Sequence, residues 1–509
     1  MSVIKQLFGQ TLVYGFSSVL ARVLNFLLVP LYTVLFIPSE YAVLSEMYAY
    51  AAFFMALGSC GMETAFFRFF DSKKGSQKNV FSTAFIFLLC NALFISLLAF
   101  IFCNKIATII QHSNNPEYII YFALIISLDL LSIIPFALLR QKNKAIKFAV
   151  IKTINIFFNI FFNIFFLIIC PALLENNILV NVISYIYNPK LMVGYVFISN
   201  LIASTITIIL LFPEIKKHIQ SFEQRIFREM LKYSWPILIA SLAFIVNETA
   251  DKVLLKYLLQ PKYGEAVAMH QMGVYSACYK LSIFMMLFVQ AYRFAAEPFF
   301  FNQFNKPDSK KIYSLMLQCF VLFALAIFLF VVFYIDIIKL IIPNSLYHEG
   351  VVIVPIVLMA NIFLGIYYNL SVWYKVTNKT KYAAIISLFG AAITILFNIA
   401  FIPKYGYIAA ACATCLCYFI MAITSYSLGK KVFYIKYNIK EILSYFTIAM
   451  SLYLISVPFS TTLISAWFNW GTPSYVDNII FNTILFLIYL IFIYSRIQKI
   501  FKPIKVVKF

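Results

Sequence analysis

Apolar runs of roughly twenty residues follow one another along the whole chain, parted by short polar turns. Fourteen such runs can be read, over 9–37, 42–67, 80–103, 118–139, 148–170, 191–212, 233–255, 267–298, 313–335, 350–374, 382–402, 407–428, 441–458 and 477–495. Each is long enough to cross the hydrocarbon core of a bilayer as a helix. The runs are nearly continuous, as at 157–169 and 321–334, whereas membrane strands are shorter and alternate strictly. Helices also satisfy their own backbone hydrogen bonds in lipid. The pattern therefore predicts an all-α polytopic membrane protein of about fourteen transmembrane helices. The first run carries Arg22 and is too long for the apolar part of a cleavable signal, so it reads as the first span.

The turns test this count. Every second turn is rich in lysine and arginine: Lys73, Lys74 and Lys78; Arg140, Lys142, Lys144 and Lys147; then the stretches 216–232, 306–311, 375–381 and 430–440, and the tail from Arg496. The alternate turns hold only Lys105, Lys190, Lys256, Lys262, Lys339 and Lys404. A missed or extra helix would scramble this alternation. The positive-inside rule then puts both termini in the cytoplasm, which requires an even number of spans. The composition agrees: 63% hydrophobic and 12% charged residues, against about 25% charged in soluble domains. The formal charge of +21 is explained by these turns, without nucleic acid. No turn on the outer side is long enough for a catalytic domain, so the chain does not read as an enzyme.

Two segments match without gaps at an offset of 235, one running from Arg140 to Ile164 and the other from Lys375 to Ile399. Asn143-Lys144 falls on Asn378-Lys379, Ile151 on Ile386, and Phe162-Asn163-Ile164 on Phe397-Asn398-Ile399. The match equates the fifth and eleventh helices. A period of six keeps the same orientation in the membrane, as in transporter folds with parallel repeats. The expected organisation is two pseudo-symmetric six-helix lobes, 1–213 and 214–429, followed by two additional helices and a basic tail over 430–509.

Ionisable side chains inside spans are costly and mark functional sites or structural pairs. Here they gather in helices 1, 2, 7 and 8, the first two helices of each lobe. Arg22 sits mid-helix among Gly15, Ser17, Ser18 and Asn25, on a polar face. Lys252 lies one turn from Glu248, Lys280 is mid-helix, and Lys152 stands one turn into helix 5. Glu63, Arg293 and Glu297 lie near cytoplasmic ends, where they can snorkel. Buried cations suit an anionic, phosphorylated cargo. Arg22, Lys152, Lys252, Lys280 and Arg293 are thus the candidate cargo-binding cations, and Glu46, Glu248 and Asp251 the candidates for ion coupling. The cluster Cys412, Cys415 and Cys417 lacks nearby His or acidic partners and reads as a helix contact, so neither metal nor cofactor is expected.

Several stretches resemble bacterial polysaccharide flippases. They are the opening Gly9-Gln-Thr-Leu-Val-Tyr-Gly-Phe-Ser-Ser, Leu31-Tyr-Thr with Pro38-Ser-Glu-Tyr41, Gly61-Met-Glu-Thr-Ala-Phe-Phe-Arg-Phe-Phe70, and Ile402-Pro-Lys-Tyr-Gly-Tyr-Ile-Ala-Ala-Ala411. The family is the polysaccharide-transport branch of the multidrug/oligosaccharidyl-lipid/polysaccharide exporter superfamily, including O-antigen (Wzx-type) flippases of lipopolysaccharide synthesis. The resemblance implies a bacterial inner-membrane protein that moves undecaprenyl-diphosphate-linked oligosaccharide from the cytoplasmic to the periplasmic leaflet by alternating access. Membrane lipids and glycan polymerase machinery are the partners it implies. Arg22 matches a basic helix-1 position of the related lipid II flippases. Two rival readings stay open: a multidrug or cation antiporter of the same superfamily, and a membrane glycan polymerase or ligase.

Overall fold

A computed structural model describes residues 22–70, 76–304, 306–377, 379, 381–460 and 475–501. Gly9–Ser18 and the basic tail from residue 502 lie outside the described residues. Among the described residues the chain is helical throughout, without strands. It forms two compact units, one ending at Val253 and the other beginning at Leu254.

The first unit holds α1 (Leu28–Leu35), α2 (Pro38–Phe70), α3 (Gln77–Ile109), α4 (Glu117–Gln141), α5 (Ala145–Glu175), α6 (Gly194–His218) and most of α7 (Gln224–Tyr263). Pro38 opens α2 at its first position, where its missing N–H costs nothing. Cys60 and Gly61 turn left-handed and divide α2 before its last two turns. α3 and α4 pack closely, and α6 packs on both α4 and α5. Met62, Phe66, Phe70, Phe81, Phe85, Ile226 and Met230 form a buried core where the ends of α2, α3, α4 and α7 meet. The opposite face of α3 is apolar and exposed: Leu93, Phe94, Leu97 and Ile101 are each more than half accessible. A contiguous apolar surface of this kind is untenable in water and natural against lipid tails.

The second unit holds α8 (Glu265–Phe301), α9 (Ser309–Phe333), α10 (Ser345–Val376), α11 (381–405), α12 (407–432), α13 (Ile439–Ser460) and α14 (Tyr475–Phe501). α13 and α14 both pack on α9. A 3₁₀ turn at Lys280–Ser282 interrupts α8 midway. α9 and α10 cross at Gly365, where a Cβ atom would fall 2.0 Å from the Phe320 ring.

Among the described residues eleven helices are long and apolar enough to cross a membrane, and the protein is a multi-pass membrane protein. The distance from fourteen has three physical sources. Only a 14-residue apolar helix, Arg22–Leu35, is described at the first place. α7 has the length, but Glu248, Asp251, Lys252 and Lys256 dilute its hydropathy. Finally, α11 and α12 run on as one helical stretch, Lys381–Val432, broken at Gly406. Its 52 residues would span about 80 Å if straight, far beyond a ~30 Å core. Gly406 adopts φ 57°, ψ −138°, which a side chain disfavours, and a Cβ there would meet the Gln271 side chain at 2.1 Å. Gly406→Ala is therefore expected to cost about 1–3 kcal/mol. The check is the thermal midpoint of the purified protein, which should drop by a few degrees.

Candidate functional site

The offset of 235 is visible in the packing. Ile151 and Ile386 are both buried, and Asn163 and Asn398 have no exposed surface. Asn163 accepts a hydrogen bond from the Tyr32 hydroxyl (2.9 Å), tying α5 to α1. Asn398 keeps a wholly buried amide without a hydrogen-bond partner.

Two ion pairs share this offset in their basic partner, with the acids one residue out of register. In the first unit Arg140, at the end of α4, pairs with Glu63 of α2 and lies over the Phe67 ring, 4.9 Å from its centroid. In the second, Lys375, at the end of α10, pairs with Glu297 of α8. Arg140 and Lys375 are the residues the repeat superposes. Arg293 joins the second pair through Glu297 (3.2 Å) and lies 4.7 Å over the Tyr368 ring. Glu63 and Glu297, read from sequence with Arg293 as snorkelling ends, bridge α2 to the end of α4 and α8 to the end of α10.

Beside the first bridge lies a basic cluster. Lys144 (2.9 Å) and Lys147 (2.8 Å) both donate to one oxygen of Glu214, which is almost buried at the end of α6. His218 Nδ1 donates to the Glu214 carbonyl oxygen (2.8 Å), so Nε2 accepts from Lys142 Nζ at 2.6 Å. Lys142 lies in the turn between α4 and α5. Burial, and then the neighbouring charge of Lys144, pull its pKa below the usual lysine value. The arrangement fastens the α4–α5 turn to α6.

Of the other predicted cations, Arg22 is exposed at the start of the described chain. Lys152 on α5 extends over the Phe136 ring, 4.3 Å from its centroid, and lies within electrostatic reach of Asp129 on α4. Asp129 accepts from the Ser204 hydroxyl at 2.8 Å. Lys252 lies one turn from Glu248 on α7. Its ammonium contacts the buried Asp251 carboxylate (3.2 Å) and the backbone carbonyl oxygen of Glu248 (3.0 Å). Lys280 is exposed on the 3₁₀ turn of α8. Thirteen residues separate it from Arg293, or about 20 Å along the helix, so the two stand at different depths.

Two ionisable residues escaped the sequence reading. Lys256, read as an outer-turn lysine, lies inside α7 with no exposed surface. His112, in the turn after α3, contacts Glu46 Oε2 at 2.9 Å, and that carboxylate is fully buried. Its 66-residue separation from Glu46 leaves no local signal. Cys417 is a packing residue whose thiol points at the Gly390 carbonyl oxygen (3.5 Å).

The helical units have the fold of solved flippase and MATE family structures. The inward-closed lipid II flippase MurJ aligns with a TM-score of 0.69 at 16% identity, over 95% of this chain and 98% of that one. An inward-facing multidrug resistance MATE family transporter of the MOP superfamily aligns with a TM-score of 0.63 at 12% identity, over 85% and 94%. An outward-facing MATE transporter of that superfamily gives 0.58 at 14%, over 84% and 94%. No curated protein matches in sequence. Residues 9–304 match the family described as polysaccharide biosynthesis protein, and the chain belongs to that family.

Proposed function

We propose that the protein is a flippase for undecaprenyl-diphosphate-linked oligosaccharide, carrying it from the cytoplasmic to the periplasmic leaflet of a bacterial inner membrane by alternating access. Both termini lie in the cytoplasm in this reading, and the protein performs no covalent chemistry. The observation that carries it is a polysaccharide-biosynthesis chain with the MurJ and MATE fold whose spans hold cations: Arg22, Lys152, Lys252 and Lys280, with Arg293 nearer a helix end. A phosphate group is the cargo that rewards such cations, because charge-assisted bonds to it strengthen out of water. Glu46, Glu248 and Asp251 are the carboxylates available for coupling to an ion gradient. O-antigen of lipopolysaccharide is the product class, and the glycan polymerase machinery is the downstream partner.

The test is deletion of the gene with analysis of the undecaprenyl-diphosphate glycans that accumulate. Complete, unpolymerised glycan facing the cytoplasm is the expected result. The same glycan facing the periplasm would point to a polymerase. The MATE likeness favours one rival, a multidrug or cation antiporter. It predicts drug efflux, and export of glycan unaffected by the deletion.

A further inference from the structure

Glu46 sits about 12 Å into α2 from Pro38 and has no exposed surface. Oε1 accepts from the Tyr50 hydroxyl at 3.1 Å, and Oε2 lies 2.9 Å from His112 Nε2. The imidazole, itself only 10% exposed, comes from the turn 110–116 between α3 and α4. That turn is at the opposite end of α4 from the lysine-rich turn at 142–144. It closes α3 with Gln111 left-handed at φ 63° and His112 N–H donating to the Ala107 carbonyl oxygen at 2.7 Å. Gln111 Oε1 is buried there and accepts no hydrogen bond. A strained turn, an acceptor held without a donor and a fully buried carboxylate thus coincide at one end of the first unit. Such costs persist at switching sites.

We propose that Glu46 and His112 form a proton-binding site whose occupancy sets how firmly α2 is held to the 110–116 turn; the inference rests on the transport reading above. With a proton on the imidazole, Glu46 and His112 make a charge-assisted bond between opposite charges. When that proton leaves to the water at this end, a carboxylate faces a neutral ring, the bond weakens, and the turn is released. Imidazole is the side chain that ordinarily exchanges its proton between pH 5 and 8. In the parts of the packed elements towards this end, the other ionisable groups are Glu40, Tyr41, Tyr48 and Tyr50 on α2 itself and Tyr32 on α1; α3 contributes Cys103 and Lys105, and α4 contributes Glu117, Tyr118, Tyr121 and Asp129. Among these, Tyr50 bonds the Glu46 carboxylate. Cys60, Glu63, Arg68, Lys78, Cys90 and Arg140 lie towards the other ends of their helices.

The test is hydrogen–deuterium exchange of the full chain in lipid nanodiscs from pH 5 to 8, corrected for the chemical exchange rate and read over residues 107–118. Protection is expected to change about tenfold through one inflection. It should stay flat in His112→Gln and in Glu46→Gln. A flat profile in the unsubstituted protein, or an inflection that survives His112→Gln, overturns the proposal. Should Glu46→Gln fail to fold, His112→Gln decides alone. Reconstituted flipping of lipid-linked glycan separates the two claims. Flipping with a flat profile removes the proton site and leaves the flippase; an inflection without flipping does the reverse.

Discussion

Arg22→Ala is expected to abolish complementation of a strain lacking the gene, with undiminished protein and with undecaprenyl-diphosphate glycan accumulating on the cytoplasmic side. The argument is electrostatic. A guanidinium binds a diphosphate through two parallel charge-assisted bonds, and removing one partner of a desolvated charge pair costs about 2–5 kcal/mol. At 1.4 kcal/mol per tenfold, cargo affinity should fall between about 30-fold and a few thousand-fold. Arg22→Lys should be intermediate, because an ammonium keeps the charge but lacks the planar fork. The structure leaves Arg22 exposed before α1, where an incoming ligand can reach it. Full export by Arg22→Ala would remove Arg22 from the cargo path. Wild-type drug resistance alongside such export would favour the antiporter.

Much of this architecture was written in the chain as pattern. Continuous apolar runs locate helices because lipid selects composition over length, and the lysine-rich turns keep count of them. The offset of 235 pairs residues of like burial: Ile151 and Ile386 are core, and Asn163 and Asn398 are buried amides. Pairing was not legible. Lys256 follows Asp251 and Lys252 so closely that the run of charge reads as the edge of a span, yet α7 continues to Tyr263 and encloses it. Lys252 has carboxylates at two spacings, Glu248 and Asp251, and spacing does not show that its ammonium contacts the buried Asp251. His112 lies in a polar turn whose composition matches any exposed loop, and only the fold brings it to Glu46. Long-range contacts of this sort depend on helix packing, which hydrophobic periodicity does not encode.

The two bridges give the second large effect. Glu63→Arg or Arg140→Glu alone sets like charges against one another where α2 meets the end of α4. The double exchange Glu63→Arg with Arg140→Glu restores an opposite pair with the signs reversed. Both side chains keep more than a third of their surface, at 43% and 35%, so solvent screens part of the loss. Each single reversal is expected to cost about 1–3 kcal/mol, between the exposed and buried limits. The double should recover at least half of it, since contacting pairs couple by about 0.5–3 kcal/mol. Thermal midpoints of the three variants measure this directly. The same set at Glu297 and Lys375 should behave alike but recover less, because Arg293 also holds Glu297 and is left beside a reversed charge. Each pair sets an acid of one helix, α2 or α8, against a base at the end of another, α4 or α10. If the single reversals leave stability and export untouched, the bridges are surface ornament. If stability holds while export collapses and the double exchange rescues it, the bridges act on the moving state of the transporter.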